Sequence, residues 1–189
     1  MTQYFLDKEY RTIKFQRDDL NQKEYESCIF FDSNFSDCNF IAVTFIDCVF
    51  QNCNFSNAHI NHVALRNVHF KKCAIKEVNF AMCDQFIFEI NFTNCILDFS
   101  KFYSLNLKST HFTNCSMIAT DFMNSNLNEV VFDRCDLYRS EFGKANANKT
   151  DFTTSYNYTI DPSITKLKKA KFSISEVRGL LSKYDIVVQ

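Results

Sequence analysis

A five-residue period of large apolar side chains is the feature that most limits how this chain can fold. Nearly every fifth residue from Phe15 to Phe80 is large and apolar, and a second run extends from Phe92 to Phe152, two residues out of phase. Neither the 3.6-residue period of a helix nor the two-residue period of a strand produces this spacing. The residue two before each large one, which we call the small position, is usually Cys, Ser, Thr, Ala or Val. The pattern predicts a coil with two inward side chains per five residues: a large centre and a small position.

All nine cysteines fall on the small position, although it is only one of five. A structural zinc site needs closely spaced cysteine pairs that converge on one point, and no such pair is present. Inward thiols behave as small hydrophobic groups, and unpaired cysteines are typical of a reducing compartment. We therefore expect the cysteines to be packing residues, with no disulfide, no metal and no cofactor.

The repeated motif x-[C/S/T/A/V]-[N/D]-[F/L]-x over roughly residues 13–155 resembles the pentapeptide-repeat family. The resemblance implies an all-β fold, a right-handed quadrilateral parallel β-helix in which four pentapeptides make one turn of 20 residues. Residues 20 apart should then stack, with successive coils ~4.8 Å apart. The predicted core residues are Phe30, Phe50, Phe70, Phe92, Phe112, Phe132, Phe102, Phe122, Phe142, Cys95, Cys115 and Cys135.

The pattern divides the chain into a lead-in over residues 1–12, a solenoid over 13–163 and a C-terminal cap over 164–189. The solenoid carries an irregularity at 81–91, where twelve residues separate Phe80 from Phe92 instead of ten. Two extra residues must bulge out or be absorbed there. Phe86 and Phe88 either project outward as partner contacts or fill the core gap that Gln85 cannot fill.

The C-terminal segment has the signals of a short α-helix. Ser173 and Glu176 form the two ends of a capping box. The segment is predicted to cover the open end of the solenoid and to offer a surface for a homodimer, and both roles can hold. The apolar residues assigned to this cap and dimer surface, including a final strand, are Ile174, Val177, Leu180, Leu181, Tyr184, Ile186 and Val188.

Composition excludes several classes of function. With a net charge of −1, the chain lacks the basic excess of a nucleic-acid binder, and its apolar runs are too short to span a membrane. No nucleophile motif or phosphate-binding loop is present, so we expect no enzymatic activity. No signal peptide is apparent, and a cytoplasmic location is expected. Asp121 and Glu141 should stack on one outer face beside Lys101, either as partner contacts or as ordinary solvated charges.

The helix-then-strand tail, the length and the mid-chain irregularity are similar to those of the family branch that contains the Qnr quinolone-resistance proteins, MfpA and a microcin immunity protein. That resemblance implies a dimeric rod that binds DNA gyrase or topoisomerase IV and protects it from quinolones or toxins. The expected function is therefore a non-enzymatic protein-binding rod with contacts at Phe86, Phe88, Asp121 and Glu141. The alternative is a general interaction scaffold with an unrelated protein partner.

Overall fold

The computed structural model describes residues 2–184 and 186, and its strands wind into a parallel β-solenoid. Each strand is short because the chain turns a corner after every pentapeptide. Three 3₁₀ helices also occur, at Phe80–Met82, Val177–Leu180 and Ser182–Tyr184. The strands are β1 Gln3–Leu6, β2 Glu9–Arg11, β3 Lys23–Glu26, β4 Ile29–Phe31, β5 Thr44–Ile46, β6 Val49–Gln51, β7 Ala64–Arg66, β8 Val68–Lys71, β9 Ile90–Thr93, β10 His111–Thr113 and β11 Val131–Asp133.

The register of the strands confirms the 20-residue coil. One parallel sheet has the order β1-β3-β5-β7, and the other has the order β2-β4-β6-β8-β9-β10-β11. Tyr25 pairs with Phe45, and Phe112 pairs with Phe132. Isolated parallel bridges continue the same 20-residue spacing on the other two sides. Four centres per coil make the solenoid four-sided.

The corners of the coil are made by residues with a left-handed backbone. The residue two after nearly every centre has a positive φ, between 50° and 63°. Asp and Asn adopt this conformation most readily among non-glycine residues, and Asp32, Asp47 and Asn52 occupy such corners. This explains how a chain with only two glycines turns so often.

Stacked aromatic rings fill the interior. One column holds nine rings, each 4.7–5.3 Å from the next. The opposite column, Phe80 to Phe142, meets it edge to face, as where Phe92 and Phe102 lie 6.0 Å apart at 81°. All twelve predicted core residues are at most 4% exposed. The nine-ring column is Tyr10, Phe30, Phe50, Phe70, Phe92, Phe112, Phe132, Phe152 and Phe172.

The solenoid extends beyond both predicted boundaries. Residues 1–12 were expected to be a lead-in, but β1 and β2 pair in parallel with the coil that follows. At the other end, Lys166 and Lys171 continue the ladder, and Phe172 stacks on Phe152 at 5.1 Å. The repeating coil therefore runs from β1 to Phe172, and the cap begins at residue 173 rather than 164.

The cap differs from the predicted α-helix. The Ser173 hydroxyl accepts a hydrogen bond from the Glu176 N–H at 3.3 Å, as a capping box requires. The Glu176 carboxylate, however, accepts from the N–H of Asn157 instead of turning back to Ser173. The segment forms two short 3₁₀ helices, and Ile174 points into solvent with 93% of its surface exposed.

The remaining predicted cap residues divide between packed and exposed positions. Leu180 packs against the core, and Val177 and Leu181 are half-buried. Tyr184 is exposed. Ile186 is also exposed and lies in no strand. Val188 and the rest of the predicted final strand lie outside the described residues.

Candidate protein-interaction surface

The interior holds side chains rather than a site, so chemistry must be sought on the outer faces. Within residues 2–184 and 186, no three His, Cys, Asp or Glu side chains come together in a way that could hold a metal ion. In the same part of the chain, no helix has the length and apolar character needed to cross a membrane. The nine cysteines are all buried and unbridged.

Five of the cysteines form one continuous file on the inner wall of the solenoid. The thiols of Cys73 and Cys95 donate to the carbonyl oxygens of Phe50 and Phe70, each one coil earlier and 3.4 Å away. The Ser155 hydroxyl, at the end of the file, donates in the same way to the Phe132 carbonyl at 2.8 Å. A thiol here is thus a small packing group with a hydrogen bond. The file runs Ser33, Cys53, Cys73, Cys95, Cys115, Cys135, Ser155.

Because burial disfavours the thiolate, the native protein should be inert to thiol reagents. Burial raises the pKa of Cys48 to about 12 and that of Cys38 to about 11. Titration with a chromogenic disulfide at pH 8 should detect no thiol in the folded protein and nine after denaturation. Rapid reaction of even one cysteine without denaturant would contradict the inward assignment of the small position.

The irregularity is a two-residue bulge between Asp84 and Ile90. Asp84 still pairs with Ala64, 20 residues earlier, whereas Ile90 pairs with Val68, 22 residues earlier. The two extra residues therefore enter between these positions, and the ladder resumes in register immediately afterwards.

The structure decides between the two predicted roles of the bulge aromatics. Gln85 turns outward, and Phe88 packs partly buried against the core in its place. Phe86 projects into solvent with 72% of its surface exposed. The Asp84 carboxylate accepts a hydrogen bond from the Phe86 N–H at 2.8 Å, which fixes the backbone at the base of this projection.

Asp121 and Glu141 stack on one face as predicted, together with Lys101. The Asp121 carboxylate is partly engaged, because it accepts a hydrogen bond from the Met123 N–H at 2.8 Å. Glu141 is exposed. This face adjoins the one that carries Phe86, so the four predicted contact residues lie on two neighbouring faces and do not form one site.

A shallow groove beside Glu141 has an apolar floor that sequence reasoning missed. Met123, Tyr138 and Ile164 line it, and Arg139 and Asp161 supply charges at its edge. Tyr138 and Ile164 are 47% and 53% exposed. The available signal was three apolar residues in outward positions that are polar in most coils. An apolar floor with a charged rim is the composition of a protein-binding surface.

The Asp161–Lys183 ion pair ties the cap to the edge of this groove. The lysine Nζ lies 2.6 Å from the Asp161 carboxylate. Hydrogen bonding to Lys183 lowers the pKa of Asp161 to about 2. The pair links residues on either side of the last complete coil.

Comparison with known proteins rests on the repeat just described. A model of pentapeptide repeats (8 copies) matches residues 33–71, and a model of a pentapeptide repeat region matches residues 86–158. Together they cover more than half of the chain. This chain belongs to the pentapeptide-repeat family. No curated protein sequence matches it significantly.

Two solved pentapeptide-repeat structures share the fold over the full length. Both are trypsin-treated forms of QnrB1, described as a plasmid-mediated fluoroquinolone resistance protein. One aligns with a TM-score of 0.62 at 18% identity and covers 100% of both chains. The other aligns with a TM-score of 0.53 at 16% identity and covers 98% of this chain and 100% of QnrB1. At these identities the likeness establishes the fold.

Proposed function

We propose that this pentapeptide-repeat protein is a non-enzymatic protein-binding rod whose partner is a type II topoisomerase, DNA gyrase or topoisomerase IV. The observation that carries the binding role is the groove lined by Met123, Tyr138 and Ile164. The interior is filled with side chains, so this outer surface is where a partner can bury apolar area.

The choice of partner draws on the relatives. QnrB1 has the same fold over its whole length and is described as a fluoroquinolone resistance protein. The family branch that the sequence resembles binds type II topoisomerases and protects them from quinolones or toxins. By this analogy, the present chain protects its partner from such an inhibitor.

We also propose that the rod dimerises through its C-terminal segment. Ile174, Tyr184 and Ile186 expose more than half of their surfaces at the C-terminal end. Exposed apolar side chains at one end of a rod favour end-to-end association of two copies about a two-fold axis.

A supercoiling assay tests the proposed function. Gyrase inhibited by a quinolone should recover supercoiling activity when the purified chain is added. Ile164→Lys places a charge on the floor of the groove and should reduce this rescue at least tenfold. Thr154→Lys, an equally exposed site on another face, should leave it unchanged.

The outcomes separate the alternatives. No rescue at a large molar excess, with either gyrase or topoisomerase IV, would contradict the proposed partner. Direct binding to a different purified protein that Ile164→Lys abolishes would then support the general scaffold. Equal rescue by both variants would contradict the assignment of the groove.

A further inference from the structure

One outer face of the solenoid, which we call face A, divides into two halves of opposite charge. Face A consists of the outward residues that flank one column of centres. The bulge lies in the fifth of its nine coils, so four coils precede it and four follow it. The centres of the other eight coils are Phe5, Tyr25, Phe45 and Leu65 before the bulge, and Leu107, Leu127, Ala147 and Leu167 after it.

The charges on face A change sign at the bulge. The four coils before it carry four acidic side chains against one basic one, Arg66. The four coils after it carry five lysines against one acidic side chain, Glu129, which pairs with Lys149 at 2.7 Å. The four acids are Asp7, Glu24, Glu26 and Asp47, and the lysines are Lys108, Lys149, Lys166, Lys168 and Lys169.

The three lysines of the last coil have no counter-ion within their own chain. None of the ion pairs formed by residues 2–184 and 186 includes Lys166, Lys168 or Lys169, and all three side chains are exposed. Like charges on neighbouring positions repel one another, so this end of the face gains if an acidic surface approaches it.

Exposed apolar side chains mark the middle of the face. Phe86 is 72% exposed and Ile87 is 51% exposed, and both belong to the bulge. The bulge also carries Asp84 and Glu89, whose nearest bases along the face are Arg66 in the coil before and Lys108 in the coil after. An aromatic anchor at the centre of a charged surface is the arrangement of a binding hot spot.

From this arrangement we propose that a second copy of the same chain docks on face A in the antiparallel direction. A two-fold axis through the bulge places the first coil of one copy on the last coil of the other. Asp7 then faces the lysines around Lys168, Glu24 faces Lys149, and the two Phe86 rings meet near the axis. A parallel arrangement would instead set acid against acid and lysine against lysine.

The dimensions of the face predict a weak, salt-sensitive complex. Nine coils give a length of ~40 Å, and three outward residues give a width of ~10 Å, so each copy contributes a footprint of ~400 Å². This is roughly half the area per partner of a standard stable interface. Because much of the attraction is between exposed charges, it should weaken as ionic strength rises.

Charge reversal tests the proposal. Asp7→Lys with Glu24→Lys makes face A basic throughout, and Lys168→Glu with Lys169→Glu makes its outer ends acidic. The corner conformation suits both replacements, because Lys149 and Glu129 already adopt it elsewhere. Sedimentation velocity at low ionic strength should show that each double variant alone loses self-association at least tenfold. An equimolar mixture of the two should recover a heterodimer.

Two further variants keep the test specific. All measurements are made in an Ile174→Glu background, which removes association through the exposed C-terminal segment without touching face A. Phe86→Lys should lose the dimer while the thermal unfolding temperature stays unchanged, because the side chain is mostly in solvent. Asp32→Lys with Lys72→Glu, on the adjacent face, should leave the dimer intact.

The results divide cleanly. Recovery on mixing, together with loss on Phe86→Lys, would support the antiparallel dimer. A mixture that stays monomeric, a self-association that charge reversal does not alter, or a parent chain that is monomeric at low ionic strength would overturn it. Protection of a topoisomerase is measured separately and depends on neither result.

Discussion

Phe122→Ala is expected to lower the free energy of unfolding by ~3–5 kcal/mol, the range for truncating a buried aromatic side chain. The Phe122 ring is fully buried and stacks between Phe102 at 5.3 Å and Phe142 at 5.4 Å. It also meets Phe132 edge to face at 5.6 Å. Each coil packs only on its neighbours, so the cavity would weaken contacts in both directions along the rod. Chemical denaturation followed by circular dichroism measures the change.

Lys101→Ala is the matched control, since Lys101 lies one residue before Phe102 but faces outward. Its exposed side chain should cost less than about 0.5 kcal/mol. Comparable losses for the two variants would mean that the assignment of inward and outward positions is wrong.

Gly179→Ala should detach the C-terminal cap. An added Cβ at this position would lie 2.1 Å from the Tyr158 carbonyl oxygen and 2.8 Å from its ring, so the backbone itself must move. We expect destabilisation of the cap by ~3 kcal/mol, the upper end for overpacking a tight contact. The Ile160 N–H donates to the Gly179 carbonyl at 3.0 Å, and its protection from hydrogen exchange should fall.

Gly143→Ala provides the comparison, because these are the only two glycines in the chain. Its added Cβ would meet Ile164 at 3.7 Å and Met123 at 3.8 Å, both ordinary contacts. This variant should be neutral or more stable by up to ~1 kcal/mol through reduced freedom of the unfolded chain. Equal protection of the Ile160 amide in both variants would show that the cap does not depend on close approach at Gly179.

The inward positions could be predicted because the period alone determines them. A side chain at every fifth position has one place to go once the coil closes after 20 residues, and the cysteines report the second inward position. The structure accordingly buries Phe30, Phe142 and Cys115 at positions chosen from spacing alone.

The ends of the solenoid were harder, because end coils obey weaker constraints. The small positions of the first coil include Gln3 and Lys8, which would be excluded from a closed interior. In a terminal coil no preceding coil covers these positions, so polar side chains are tolerated there. At the other end, Pro162 interrupts the pattern before Phe172 restores it.

The cap and the outer surfaces depend on information that is absent from a local pattern. The spacing of Ile174, Val177 and Leu181 fits an α-helix, but Glu176 is drawn to the backbone of Asn157 and the segment winds into 3₁₀ turns. The opposed halves of face A appear only after the two-residue bulge is placed, because an error of two residues moves each later side chain to the wrong position.

The central claim is that each 20 residues of chain advance the rod by one coil, and distances along one corner column test it most directly. Arg134 can be spin-labelled through cysteine together with Lys72, Asn52 or Asp32, all exposed corner positions, since the buried native thiols should not react. The distances between these sites should rise linearly by ~4.8 Å per coil, to ~24 Å over the five coils from Asp32 to Arg134. Distances that fail to increase in equal steps along this series would contradict the solenoid.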